Sequence, residues 1–191
     1  QLILLQEAAS SMHLSRVLTE TRFRSFAPGY VTARDITGVV TFSQIEPLAH
    51  CRLLAMEPWL GTPKATNITQ YALSNTDKTL LVANIHAVNF SFGLKHFRAQ
   101  LEAIVEVLAA HEGPIIFSGD FNTWRRGRQK VLSELMASID LKPIQFEEDH
   151  RLRFLGLALD HVFVAGLQVM ATHTNKVQAS DHNPLSLTHS M

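Results

Sequence analysis

Pro114-Ile115-Ile116-Phe117-Ser118-Gly119-Asp120-Phe121-Asn122-Thr123-Trp124 is the stretch whose reading decides the fold. Its apolar run follows Gly113-Pro114 and lacks the polar alternation of a half-solvated strand, so it reads as a buried strand. The strand empties into an Asp and an Asn two residues apart, which the period of two sends to the same side at its exit. Gly119, just before them, leaves room for a ligand or another backbone to approach closely. Taken alone, Asp120 and Asn122 would read as an Asx turn closing the strand.

Two further segments have the same grammar. Leu157-Ala158-Leu159-Asp160-His161-Val162-Phe163-Val164 and Ala179-Ser180-Asp181-His182-Asn183-Pro184-Leu185 also set acid and histidine among apolar residues. A carboxylate inside a β-patterned apolar run is costly unless it is paired, hydrogen-bonded or bound to a metal. Three such places point to a site rather than to packing.

In order and near-spacing, Ser118-Gly119-Asp120-Phe121-Asn122, Leu159-Asp160-His161-Val162-Phe163 and Ser180-Asp181-His182-Asn183-Pro184-Leu185 resemble the signature of the endonuclease/exonuclease/phosphatase superfamily. Its members include DNase I-like nucleases, abasic-site endonucleases, inositol-phosphate phosphatases and neutral sphingomyelinases. Leu4-Leu5-Gln6-Glu7 is similar to the family's metal-binding strand end, and Asn84-Ile85-His86-Ala87-Val88-Asn89 to its phosphate-contacting segment. Gly-Asp-Phe-Asn-Thr-Trp, from Gly119 to Trp124, is similar to a bacterial YafD-like branch.

The resemblance implies an α/β fold, the DNase I-like four-layer sandwich of two stacked mixed β-sheets flanked by helices, with the motifs meeting at one edge. It implies a phosphoesterase dependent on Mg2+ or Mn2+, with Glu7 as principal metal ligand and Asp181 as a second, direct or through water. Asp120 and Asn122 are expected to orient and help deprotonate the attacking water. His182, oriented by Asp160, is expected either to contact the phosphoryl group or to act as general base. His86 and Asn89 would complete the phosphate clamp. Abasic-site nucleases carry a Tyr where His86 stands, which moves the likeness toward the DNase I and phosphatase side. An earlier strand of the family supplies an Asn to the metal, whereas this chain opens in mid-strand at Gln1. The expectation is a single domain over 1–191 that is N-terminally incomplete.

The chemistry of the residues agrees. An anionic phosphorus repels a nucleophile, so its hydrolysis needs a cation on the oxygens, an activated water and donors aimed at the developing charge. Carboxylates without thiolates or dense His spacing favour Mg or Mn over Zn. His161 shares the neighbourhood of His182 but is read as packing, since the motif requires its Asp.

At 191 residues, 46% apolar and 18% charged, the chain has the make-up of one globular domain. Its 17 basic and 17 acidic side chains balance, so no global field draws it to polyanions. The exception is local: Arg125-Arg126-Gly127-Arg128-Gln129-Lys130 follows the central strand, where Arg125 and Arg126 could meet substrate phosphates or could be ordinary solvated surface. The single cysteine, Cys51, excludes an intrachain disulfide and suits a reducing, cytoplasmic location. No apolar stretch reaches the ~20 residues of a membrane span.

Pattern places a helix over Ser11 to Glu20, a loop over Phe23 to Pro28 and a strand over Gly38 to Ser43. Trp59 to Lys64 reads as a loop on the cleft rim. Two strands, Thr66 to Ser74 and Thr79 to His86, read as a hairpin, and Leu94 to Leu108 as a helix with one apolar stripe. The partner expected is a phosphorylated substrate, with nucleic acid a candidate, and no protein partner is evident. Alternatives to a nuclease-like phosphodiesterase are a phosphatase, a phospholipid head-group phosphodiesterase, or a binding protein that has lost the chemistry.

Overall fold

The computed structural model describes residues 1–12, 22–33, 35–74, 76–91 and 93–190. The chain runs β1 (Leu2–Ala9), β2 (Phe23–Val31), β3 (Ile36–Ser43), β4 (Ala49–Met56), β5 (Pro63–Ala72), β6 (Thr79–His86) and α1 (Lys95–Ala109). It continues through β7 (Ile115–Asp120), α2 (Arg126–Ala137), β8 (Lys142–Pro143), β9 (Arg153–Phe154), β10 (Leu157–Ala158), β11 (Asp160–Ala165), β12 (Gln168–Thr174) and β13 (Leu185–Ser190).

A six-stranded mixed sheet in the order β4-β5-β6-β7-β11-β8 forms the centre. Within it, β6 and β7 pair in parallel, joined by α1, while the flanking pairs are antiparallel. On one face, Phe97, Leu101, Ile104 and Leu108 of α1 pack with Val131, Leu132 and Met136 of α2 against Ala83, Ile85 and Phe117. On the other, Leu80, Val82, Ile116, Val162 and Val164 lie beneath Leu2 and Leu4 of β1 and Leu185 and Leu187 of β13. Apolar layers on both faces account for the unbroken apolar runs of β6 and β7.

The second layer is the sheet β1-β3-β2, stacked over β5, β6 and β7, together with the hairpin β12-β13. The architecture is thus the expected α/β sandwich of stacked sheets. The helix expected over Ser11 to Glu20 falls mainly on residues outside the described ones. The hairpin β5-β6 and the helix α1 form where the pattern put them.

Two expectations need correction. Phe23 to Pro28, expected as a loop, belongs to β2; Pro28 is tolerated because β2 is the edge of its sheet and its register slips between Pro28 and Val31. Pro63 and Lys64, expected on a loop, open β5, where Pro63 pairs with Met56 of the edge strand β4. Among the described residues no helix is long and apolar enough to cross a membrane.

Gly119 fixes the spacing of the parallel pair. It lies opposite Ile85 with φ +143°, and a Cβ there would sit 2.1 Å from the Ile85 carbonyl oxygen. The room it leaves is filled by another backbone. Gly119→Ala is expected to destabilise the fold by about 3 kcal/mol or more, through strain and overpacking together. Urea unfolding would register this as a lower midpoint, and an unchanged midpoint would refute the constraint.

Candidate active site

Strand register assembles the site. His86, the last residue of β6, pairs with Asp120, the last of β7, and Asp120 pairs with Asp160, the first of β11. Three polar residues therefore stand in one row across three strands, where the apolar core stops. All three are buried.

Asp120 is held by Asn122 twice: the Asn122 backbone N–H donates to Oδ1 at 2.8 Å and its side-chain Nδ2 to Oδ2 at 3.1 Å. The Asn122 amide also donates to the Ala87 carbonyl at 3.0 Å, tying the exits of β6 and β7 together. The Asx turn is thus present, but as part of the site rather than in place of it. Asn122 adopts φ 51° and Glu7 φ 52°, so two of the four described non-glycine residues with positive φ belong to this cleft. Such conformations persist where surrounding structure enforces them, and they cluster at functional sites.

Across the row, His182 Nδ1 donates to both Asp160 oxygens, at 2.9 and 2.8 Å. Its own backbone N–H donates to Ser180 Oγ at 3.1 Å, which fixes the loop before β13. Asp160 in turn receives support from Arg151, whose Nη1 donates to its carbonyl at 3.1 Å. The imidazole is therefore anchored at one ring nitrogen by a carboxylate.

On the opposite side, β1 carries Glu7 over the end of β6. A register shift between Leu5 and Ala8 turns Glu7 out of the ladder, leaving its carboxylate largely exposed. Gln6 Nε2 donates to Asn84 Oδ1 at 2.6 Å, and Asn84 Nδ2 donates to the Val40 carbonyl at 2.9 Å, so the two sheets are bonded just beneath it. Glu7 Oε1 lies 3.7 Å from His86 Nε2 and 4.0 Å from Lys64 Nζ. Lys64 Nζ donates to His86 Nε2 at 2.7 Å.

Burial is the dominant electrostatic influence here. It pushes His86 down to about 3, helped by Lys64 and His182, so His86 is neutral and accepts from Lys64. The 3.6 Å approach of His86 to Asp120 is accordingly a polar contact and not an ion pair. Burial, seconded by Asp160, raises Asp120 to about 6. Lys64 is lowered by burial, against the pull of Glu7, Glu57 and Asp120. His182 moves the other way, to about 9, chiefly through its hydrogen bond to Asp160.

Lys64 is a site residue that the sequence did not announce, since one lysine after a Trp-Leu-Gly-Thr-Pro turn looks solvated. His86 accepts a hydrogen bond from Lys64 at Nε2, which sets the Lys64 ammonium beside it in the cleft. Asn89 lies three residues beyond His86, half-buried. Asp181 is exposed and adjoins His182. Of the basic cluster, Arg126 is exposed, but Arg125 donates to the Gly93 carbonyl and lies over the Trp124 ring, and Arg128 is fully buried. His161 is packing, as expected: it bonds Thr123 Oγ1 at 2.7 Å and contacts the rings of Phe121 and Phe163.

Among the described residues no three His, Cys, Asp or Glu side chains converge as a metal cluster. The oxygen donors nevertheless suit a hard cation. Mg2+ is commonly held by one or two carboxylates plus water and substrate oxygens, and the exposed carboxylate of Glu7 at the cleft fits such a donor set.

No protein-family model matches the chain. It is 38% identical over 187 residues to a UPF0294 protein of Vibrio parahaemolyticus, covering 97% of this chain and 66% of that protein. A UPF0294 protein of Klebsiella pneumoniae is 39% identical over 185 residues, covering 96% and 69%. The chain thus spans about two thirds of the length of these relatives. Among solved structures, an endonuclease/exonuclease/phosphatase family protein from Leptotrichia buccalis superposes with a TM-score of 0.72 at 14% identity, covering 100% of this chain and 87% of that one. D. rerio TDP2 complexed with a single-strand DNA product gives 0.67 at 13% identity, covering 100% and 86%. A Bacteroides thetaiotaomicron mannosyl-6-phosphatase gives 0.60 at 15%, covering 88% and 77%.

The electrostatics predict two pH responses of the metal-free protein. Asp120 has a folded pKa of about 6 against an ordinary 3.8, so the unfolded chain loses that proton first and stability falls as pH rises through this window. Asp120→Asn is expected to be more stable than the parent at pH 8, by up to about 3 kcal/mol, and equal to it below pH ~4. Thermal melts across that range check this. His182 has the same sign in a higher window: its bond to Asp160 stabilises fully below pH ~6.5, and that stability is lost as pH rises through about 9. Its ring resonances should titrate near the upper value and return toward 6.5 in Asp160→Asn.

Proposed function

We propose that this chain, which belongs to the UPF0294 family and carries the endonuclease/exonuclease/phosphatase fold, hydrolyses a phosphate ester in the cleft above β6, β7 and β11, with Mg2+ or Mn2+ as cofactor. The observation that carries this reading is the row His86, Asp120, Asp160 in register, with Asn122, His182, Lys64 and Glu7 gathered on it.

Each residue then has a role that its contacts prepare. Glu7 would hold the metal, and Asp181 would join it through water. When bound, the divalent ion neutralises phosphoryl charge and lowers the pKa of bound water. Asp120, locked by Asn122 and ionised above pH ~6, accepts the proton of the attacking water. Lys64 donates to one phosphoryl oxygen, moving only from its bond to His86. His182, held cationic by Asp160, donates from its second ring nitrogen to another oxygen. Its raised pKa favours the phosphoryl-contact role over that of general base. Asn89 completes the clamp.

A phosphodiester is the leading substrate class, and nucleic acid is one form of it, as in the TDP2 complex with its DNA product. The engagement of Arg125 and the burial of Arg128 favour a second reading. With Arg126 and Lys130 left as the exposed cations of the cluster, the surface suits a small phosphorylated group better than a long polyanion. The mannosyl-6-phosphatase neighbour acts on a substrate of that kind.

Hydrolysis of bis(p-nitrophenyl) phosphate, single-stranded DNA and sugar phosphates with Mg2+ or Mn2+ tests both readings. Asp120→Asn and His182→Ala should each lose about 10²–10⁴-fold in kcat. Lys64→Met should raise KM about tenfold. Metal-dependent turnover that survives both of the first two substitutions would overturn the assignment. If nucleic acid is the substrate, Arg126→Ala with Lys130→Ala should weaken cleavage and flatten its salt dependence; a small-substrate enzyme should respond to neither.

A further inference from the structure

The segment from Ala87 to Ser91, between β6 and α1, has no strand partner, yet its peptide groups are held almost one by one. Ala87 N–H donates to the Asp120 carbonyl at 2.8 Å and Val88 N–H to Gln100 Oε1 at 2.8 Å. Asn89 and Phe90 then donate their N–H groups to the two oxygens of Glu57, the second at 3.0 Å. From the other side, Arg128 Nη1 donates to the carbonyls of Val88, at 2.6 Å, and Asn122, at 3.1 Å. Its Nη2 donates to the Asn89 carbonyl at 2.9 Å and to Ser91 Oγ at 2.8 Å.

Glu57 is 1% and Arg128 0% exposed. A buried carboxylate and a buried guanidinium would ordinarily be spent on each other, because an unpaired buried charge is expensive. Here the carboxylate is spent on two peptide N–H groups of one short segment, and the guanidinium on that segment and the Asn122 carbonyl. The Arg128 guanidinium also lies over the rings of Phe97, at 4.7 Å, and Trp124, at 5.1 Å, which limits its freedom to move.

We propose that Glu57 and Arg128 are a pair of positioning residues, clamping segment 87–91 from opposite sides so that Asn89 is presented to the phosphoryl group in fixed register with Asn122. The inference rests on the phosphoesterase reading for its catalytic consequence, but not for the clamp itself. Arg128 is the shared element, since one nitrogen reaches both the segment and the residue that orients Asp120. Among the described residues, the Glu57 carboxylate takes its hydrogen bonds from the segment and none from Asn122.

That asymmetry gives the test. Glu57→Gln keeps one acceptor but sets an amide N–H2 against the other peptide N–H. Arg128→Lys keeps the charge and loses the fork. In the parent, amide hydrogen exchange at Asn89 and Phe90 should be protected, and it should quicken at least about tenfold in either variant. Glu57→Gln should raise KM about tenfold with kcat within about threefold; Arg128→Lys, which also releases Asn122, should lower kcat by about 100-fold as well. If Arg128→Lys does not fold, Glu57→Gln carries the test, since it lies on a separate element.

Amides as labile in the parent as in Glu57→Gln would overturn the clamp whatever the activity. Lost protection with unchanged kinetics would overturn its positioning role. A parent that turns over no phosphoester would refute the catalytic reading, and the exchange data would still decide the clamp.

Discussion

The parallel contact between Ile85 and Gly119 is the constraint on which the rest of the structure depends. It brings two strands together more closely than a Cβ permits, and its register sets His86 beside Asp120. A parallel pair must be joined by a crossover, and α1 provides it, covering the face away from the site. With that face filled, the opposite face receives β1, and with β1 comes Glu7. The antiparallel addition of β11 then places Asp160 next to Asp120 without any further device. One backbone contact therefore determines the relative positions of residues drawn from both ends of the chain.

The space between the sheets changes character along the strands. Toward the start of β6 it is filled by Leu80, Val82, Ile116 and Val162. Toward the end of β6 it becomes polar: Asn84 is bonded to Gln6 and Val40, and Asn67 Nδ2 to Ser25 and Thr41 at 3.1 Å each. Buried amides with satisfied partners fix the sheets' separation more specifically than apolar contacts would. They also form the transition from dry core to charged cleft. The positive φ of Glu7 and Asn122 belongs to the same transition, since both residues leave their ladders where the cleft opens.

The parts of this arrangement legible in the sequence were those in which a charge interrupts an apolar run. Asp120, Asp160 and His182 stood out for that reason, and Gly119 with them. Lys64 did not, because a single cation after turn residues has the same appearance whether it is buried at a strand start or solvated on a loop. Glu57 is hidden in the same way at the end of β4. Arg128 was misleading in the other direction, grouped with basic neighbours although the helical period turns it inward while Arg126 faces out. β2 escaped notice because Pro28 argues against a strand, and only its place at a sheet edge resolves the conflict. Pairing across the chain decided Lys64 and β2, and the helical period decided Arg128.

The charge balance of the cleft gives the proposed chemistry a physical rationale. Three carboxylates, those of Glu7, Asp120 and Asp160, face two cations, Lys64 and His182. A bound phosphate ester adds to the negative side, so substrate binding by the chain alone would work against repulsion in a place where burial already disfavours ionised Asp120. A divalent cation beside Glu7 would offset that excess and, by the same field, lower the pKa of Asp120 toward the ionised state its role requires. On this reading, metal binding and the readiness of the base are one equilibrium.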